Sequence, residues 1–193
     1  MRRVQEELKD KFGEETIMRR LISKLNFKFM ALSFRLRDFF NPPKSILEEA
    51  GIKSGFRVLD YGCGPGSYVT AAAELVGKTG RVYALDTNPL AVRRVQSIAS
   101  KWKLTNVETI CSDCGTGLPD NSVDVVLLYD TFHLLDNPNE VLEELHRVLK
   151  PGRILSFSDH HMKESEILSR LTNRGLFRLW KKGKKTYSFL KVK

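Results

Sequence analysis

The stretch RVLDYGCGPGSY, residues 57 to 68, closes a hydrophobic run on an acid, Asp60, and follows it with glycines at 62, 64 and 66. Glycines at alternate positions let a chain turn sharply out of a strand and into a helix while bringing bare backbone against a ligand. The helix start beyond them offers unpaired amides and a partial positive charge, suited to a carboxylate or a phosphate. Ligand binding is therefore the expected chemistry, with the anionic end of the ligand over that helix. A dinucleotide fingerprint, G-x-G-x-x-G, would place its third glycine at 67, where the chain has Ser67. The pattern present is D-x-G-x-G-x-G, headed by an acid.

The elements that must position these residues follow from patterning. FRVLD (56 to 60), RVYALD (81 to 86), NVETIC (106 to 111), VDVVLLYD (123 to 130) and RILSFSD (153 to 159) read as strands, too continuously apolar for a half-exposed sheet. Helices fall between them over about 67–77, 89–102 and 138–149, the last two opening at Asn88-Pro89 and Asn137-Pro138, each an expected cap followed by a first-turn proline. KPG (150 to 152) is expected to end the third helix before the fifth strand. A further helix is expected near 164–174, then a hairpin bending at Gly183 within KKGKK. The fold class is α/β, a doubly wound, Rossmann-like, mostly parallel sheet.

The D-x-G-x-G-x-G loop resembles the first motif of class I S-adenosylmethionine-dependent methyltransferases, in particular the small-molecule group that includes ubiquinone and menaquinone biosynthesis enzymes. Three further segments match at the right intervals: Asp86 in YALDTNP, about 20 residues past the glycines; Asp113 in CSDCGTGLPDNSVDVV, followed by an LP-x-x-S-x-D-x-V approach to the fourth strand; and LKPGRIL before the fifth. The resemblance covers about residues 45 to 160 and implies S-adenosylmethionine as cofactor, S-adenosylhomocysteine as product, and a seven-stranded sheet closed by an antiparallel hairpin. It implies that the backbone of Gly62, Cys63, Gly64 and Gly66 faces the methionyl part, with Asp60 near the ammonium. Asp86 would hold the ribose, Thr87 or Asn88 would flank the adenine, and Asp113 with Cys114 would meet the adenine edge. Tyr129, Asp130 and His133, in LLYDTFHLLDNP after the fourth strand, could reach the acceptor or the methyl-bearing sulfur. His133 is a candidate general base because an imidazole's ordinary pKa is near neutrality, and it is equally readable as a residue that orders the loop.

Other features yield weaker readings. CSDC has C-x-x-C spacing, but a structural zinc needs four ligands and few remain to complete the set, so no metal is expected. His160 and His161 follow the fifth strand, and adjacent strand residues point oppositely, so at most one is expected in the pocket. NPPK (41 to 44) resembles the NPPY of nucleic-acid amino-methyltransferases, but its fourth residue is Lys44, and it reads as a helix stop.

In residues 1 to 44, expected to form a helical cap on a single unit spanning 45 to 193, Leu21, Leu25, Phe29, Leu32, Leu36 and Phe40 follow three- and four-residue steps. Arg19, Arg20, Lys24, Lys28, Arg35 and Arg37 supply a basic surface. Burial of that stripe over the open strand-end rim, as a lid, is the first reading; membrane-surface contact and RNA binding are the others.

The balance of 41% hydrophobic and 28% charged residues in 193 fits a single globular domain. A net charge of +9 favours anionic partners without identifying one. Only 3 cysteines and no signal-like or membrane-spanning run point to a reducing cytoplasm. The function expected is methyl transfer to a small acceptor that could be apolar. The alternative is an RNA-associated methyltransferase or a non-catalytic protein that binds the cofactor.

Overall fold

The structure, a computed structural model, describes residues 23, 25–40 and 42–193. Leu21, Arg19, Arg20 and Lys24, named above, lie outside the described residues. The elements are helix α1 over 25–40, α2 (Pro43–Glu49), β1 (Arg57–Tyr61), α3 (Val69–Val76), β2 (Arg81–Asp86), α4 (Pro89–Trp102), β3 (Val107–Cys111), β4 (Val123–Tyr129), a 3-10 turn (Phe132–Leu134), α5 (Pro138–Val148), β5 (Leu149–Ser158), α6 (Glu164–Thr172), β6 (Phe177–Lys182) and β7 (Tyr187–Lys191). They form one seven-stranded sheet in the order β3-β2-β1-β4-β5-β7-β6, with β7 antiparallel to both its neighbours and β1 to β5 parallel. The doubly wound, Rossmann-like sheet with a closing hairpin is as expected.

The continuous apolar runs are the strands buried on both faces. Every residue of β4 is buried, as is β1 after Arg57. One face packs α5 and α6 through Leu142, Leu145, Ile167 and Leu171; the other packs α2 and α3 through Leu47, Ala72 and Val76. At the base of the sheet, Asp124 in β4 is 3% exposed and fully engaged. It accepts from the backbone N–H of Arg57 (2.9 Å) and from Lys150 Nζ (2.8 Å), and Arg153 Nε lies 3.3 Å away. The S-x-D approach to β4 is thus a structural pin, with Ser122 Oγ donating to the Pro119 carbonyl at 2.6 Å.

Several local expectations are corrected. Asn88 caps α4, its side chain accepting from Leu90 N at 2.9 Å, but the Asn137 side chain makes no cap bond to α5, and its amide nitrogen donates to Glu140 Oε2 (3.1 Å). Lys150-Pro151-Gly152 lies inside β5 rather than before it, accommodated by a register shift opposite Val123 and Val125. A short helix, α2, follows the prolines where none was expected.

Helix α1 reaches the strand-end rim, yet its apolar stripe is not what meets the body. Leu25, Phe29, Leu32, Leu36 and Phe40 are exposed, while Met30, Phe34 and Arg37 face inward. The reason is the rim's own chemistry. Arg37 lies 3.4 Å from the Asp130 carboxylate, with its guanidinium 5.5 Å from the Tyr68 ring centroid, so a cation assigned to the surface docks the helix.

Candidate active site

The three glycines after β1 serve different ends. At Gly62 (φ +79°) a Cβ would run into the Thr131 side chain, so the loop after β4 can approach only a bare backbone. At Gly66 (φ +86°) a Cβ would meet Val95 and Ile98 of α4 at 3.1 Å. At Gly64 (φ +52°) nothing lies within 4 Å, and its backbone lines an open cavity. The loop is pinned to the end of β2: Gly62 N and Cys63 N donate to the Leu85 carbonyl at 2.8 and 2.9 Å. Asp86 completes the clasp, one carboxylate oxygen accepting from Gly64 N and the other from Asn88 N, each at 2.8 Å. The first two sequence motifs are therefore one hydrogen-bonded unit before any ligand arrives.

Asp60 sits at the end of β1 with 2% of its surface exposed, and its Oδ2 has no hydrogen-bond partner among the described residues. Burial, and then the neighbouring Asp86 carboxylate, push its pKa up to about 7. A buried acceptor left unmade is costly, and the residue that carries it lines the cavity, where a cationic ligand group would offset its charge. Burial likewise pushes the Cys63 thiol up, so it remains neutral packing.

The cavity holds about 760 Å³. Asp60, Gly62, Cys63, Gly64, Asp86, Thr87, Asn88, Asp113, Tyr129, Asp130 and His133, all singled out from the sequence, line it. Gly66 and Cys114 do not: Gly66 is committed to α4, and Cys114 packs against the core cluster beneath the sheet's other half. Tyr61 holds the third-strand loop in place, its hydroxyl donating to the Asp113 carbonyl at 3.1 Å.

The opposite half of the cavity is organised by residues after β4 and β5. Asp130, in the left-handed region at φ +51°, engages both carboxylate oxygens, one with His160 Nδ1 (2.7 Å) and one with Arg37 (3.4 Å). His133 Nδ1 lies 2.8 Å from Asp159 Oδ2, which also accepts from the His133 backbone N–H at 3.2 Å. Asp159 is 4% exposed, and its other oxygen accepts from His161 N at 3.1 Å. The neighbouring carboxylate fixes Nδ1 as the protonated nitrogen and leaves Nε2 as the acceptor. Tyr129 is buried with its hydroxyl 2.7 Å from Ser156 Oγ, and burial pushes its phenol up, so it stays neutral.

Both His160 and His161 line the cavity, against the expectation of one at most. They lie in the turn beyond β5, where strand alternation no longer applies, and their rings are in tilted contact with centroids 4.0 Å apart. Sequence reading also passed over Asp159, Tyr68 and Thr131. Asp159 carried a usable signal, since it stands just past a parallel strand, as Asp60 and Asp86 stand at the ends of theirs.

Residues 52–191 match the Methyltransf_31 family, a methyltransferase domain. A solved S-adenosylmethionine-dependent methyltransferase from Aquifex aeolicus is 31% identical, covers 78% of this chain and 88% of its own, and superimposes with a TM-score of 0.69. The chain belongs to the class I S-adenosylmethionine-dependent methyltransferases.

Among this methyltransferase's curated relatives, the ubiquinone/menaquinone biosynthesis C-methyltransferase UbiE of Hydrogenovibrio crunogenus is 38% identical over 117 residues, 58% of this chain and 46% of that protein. The demethylmenaquinone methyltransferase of Geobacillus stearothermophilus is 32% identical over 112 residues, 58% of this chain and 48% of that one. The chain spans about half the length of the curated relatives it matches. The site itself fits the family's cofactor: an unpartnered buried carboxylate faces the cavity, and the Gly64 backbone stands open beside it. Among the described residues no cluster of three or more His, Cys, Asp or Glu side chains could hold a metal ion. Nor is any described helix long and apolar enough to cross a membrane.

Proposed function

We propose that this chain transfers a methyl group from S-adenosylmethionine to a small acceptor with an apolar body and a proton to lose, of the quinone-precursor kind named in its relatives. The observation that carries the reading is His133 in the cavity wall, backed by the buried Asp159, with Met30, Phe34, Tyr68 and Leu134 lining the same space. When bound, the cofactor supplies an electrophilic methyl on a sulfonium.

The residues of this chain bind, align and take up the proton. Asp60 would hold the cofactor's ammonium, Asp86 its ribose, and Thr87, Asn88 and Asp113 its adenine. Asp86 can add ribose hydroxyls to the two backbone donors it already serves, because each carboxylate oxygen has a second lone pair. The apolar part of the lining seats the acceptor's body and leaves its nucleophilic atom to be aligned in line with the bond that breaks. As that atom gains the methyl it loses its proton to His133 Nε2, and the Asp159 carboxylate stabilises the imidazolium that results. Asp159 is a positioning residue, acting on the proton transfer through His133.

Turnover of demethylated quinone precursors by wild type, His133→Ala and Asp159→Asn tests the proposal. A general base contributes about 100-fold or more, so His133→Ala should lower kcat by that order with cofactor affinity unchanged. Asp159→Asn should lower kcat by less and leave KM in place. Activity retained within a few-fold in His133→Ala removes the base assignment.

A further inference from the structure

We propose that the outer face of α1 docks on an anionic lipid surface. Leu25, Phe29, Leu32, Leu36, Phe39 and Phe40 recur at three- and four-residue steps, which places them on one side of the helix. All six are exposed, Phe29 by 73%, Phe39 by 81% and Phe40 by 74%. A helix apolar on two sides is expected to be covered on both. The inner side is accounted for by Met30 and Phe34 at the cavity and by the Arg37–Asp130 pair. The outer side has only solvent among the described residues, far more apolar surface than scattered exposed side chains present.

Charge decides the occupant. Lys28 and Arg35, both exposed, each stand one helical step from Leu32, and Arg35 also from Phe39, along one edge of the stripe. Basic residues flanking Phe and Leu on an amphipathic helix suit the interface of an anionic bilayer, where the ring and leucyl side chains enter the acyl boundary and the cations meet lipid phosphates. The chain's net charge of +9 is complementary to such a surface and repels a second copy of itself. The two faces of α1 then join lipid to site: the outer side rests on the bilayer while the inner side walls the cavity. An acceptor dissolved in the bilayer would reach the cavity under this helix; that consequence rests on the acceptor reading above, whereas the docking itself does not.

Flotation of the full chain with phosphatidylcholine vesicles, with and without phosphatidylglycerol at about a third of the lipid, is the test. The expected result is partition onto the anionic vesicles only, falling as salt is raised because exposed charges are screened beyond about 10 Å at 0.1 M. Phe29→Asp/Phe40→Asp should lose at least tenfold in partition with thermal stability unchanged, since neither ring packs on the body. Lys28→Glu and Arg35→Glu should each lose about fivefold or more on anionic vesicles. The proposal is overturned if wild type fails to float with anionic vesicles, or if the Phe29/Phe40 variant floats as wild type does. Light scattering that shows a dimer dissolved by the same variant, with no vesicle binding, overturns it in favour of a second copy. None of these readouts depends on methyl transfer, so they stand or fall apart from the acceptor assignment.

Discussion

Two aspartates lie at opposite ends of the same parallel strand pair, and they are treated in opposite ways. Asp124, at the base of β4, is 3% exposed and surrounded by the Arg57 amide, Lys150 and Arg153. Asp60, at the top of β1, is 2% exposed and keeps one oxygen without a partner. The carboxylate at the base is satisfied by the fold and serves stability. The one at the top destabilises the ligand-free protein, and that deficit is what a cationic ligand can remove. In this molecule the end of the sheet that opens onto the cavity is distinguished by what has been left incomplete.

The largest effect is expected at the base. Asp124→Ala orphans the Arg57 amide and two cations; because Lys150 and Arg153 are more than a third exposed, the loss should be about 2–3 kcal/mol. At about 2–4 °C per kcal/mol for a chain of this size, the midpoint of thermal unfolding should fall by roughly 4–12 °C. Calorimetry with S-adenosylhomocysteine on the fraction still folded should show affinity close to wild type. A comparable loss of affinity would mean that the two ends are not separable.

Next comes Asp60→Asn, where the removed charge should cost about 2 kcal/mol of cofactor binding, roughly thirtyfold in Kd. Its effect on the ligand-free protein should have the opposite sign to that of Asp124→Ala. Burial raises the native pKa of Asp60 from 3.8 to about 7, so the native state holds its proton over a range where the unfolded chain has released it. Ligand-free stability therefore falls as pH rises from about 4 through about 7. The asparagine variant should lack that slope and be the more stable of the two at pH 8, as thermal scans across pH would read.

The smallest effect sharpens the assignment. If Asp60 must ionise to meet the cofactor's ammonium, wild-type affinity should weaken by up to about tenfold per unit as pH falls below 7 and level off above it. Asp60→Asn should give a flat profile. A wild-type profile already flat from pH 5.5 to 8 would place the ammonium elsewhere.

The parallel core and the glycine-loop side of the cavity were legible because both rest on local signals: continuous apolar runs, glycines where the chain must turn, and acids at strand ends. Asp60, Gly64 and Asp86 could be picked from the sequence for that reason. On the opposite side Tyr129, Asp130 and His133 were picked from the sequence but their partners were not, since these pairs span long separations: Asp159 comes to His133 only once β4 and β5 are registered, and Arg37 meets Asp130 from the far end of the chain. Periodicity located the stripe on α1 but not its direction, because the pattern of Leu25 to Phe40 is indifferent to whether the body or something else covers it.

The position of β7 between β5 and β6 has a consequence for how the chain is assembled during synthesis. β6 emerges before the strand that will connect it to the sheet, so for an interval both β5 and β6 expose an unpaired edge. β6 itself carries Arg178, Lys181 and Lys182, charges that discourage edge-to-edge pairing with another nascent chain while it waits.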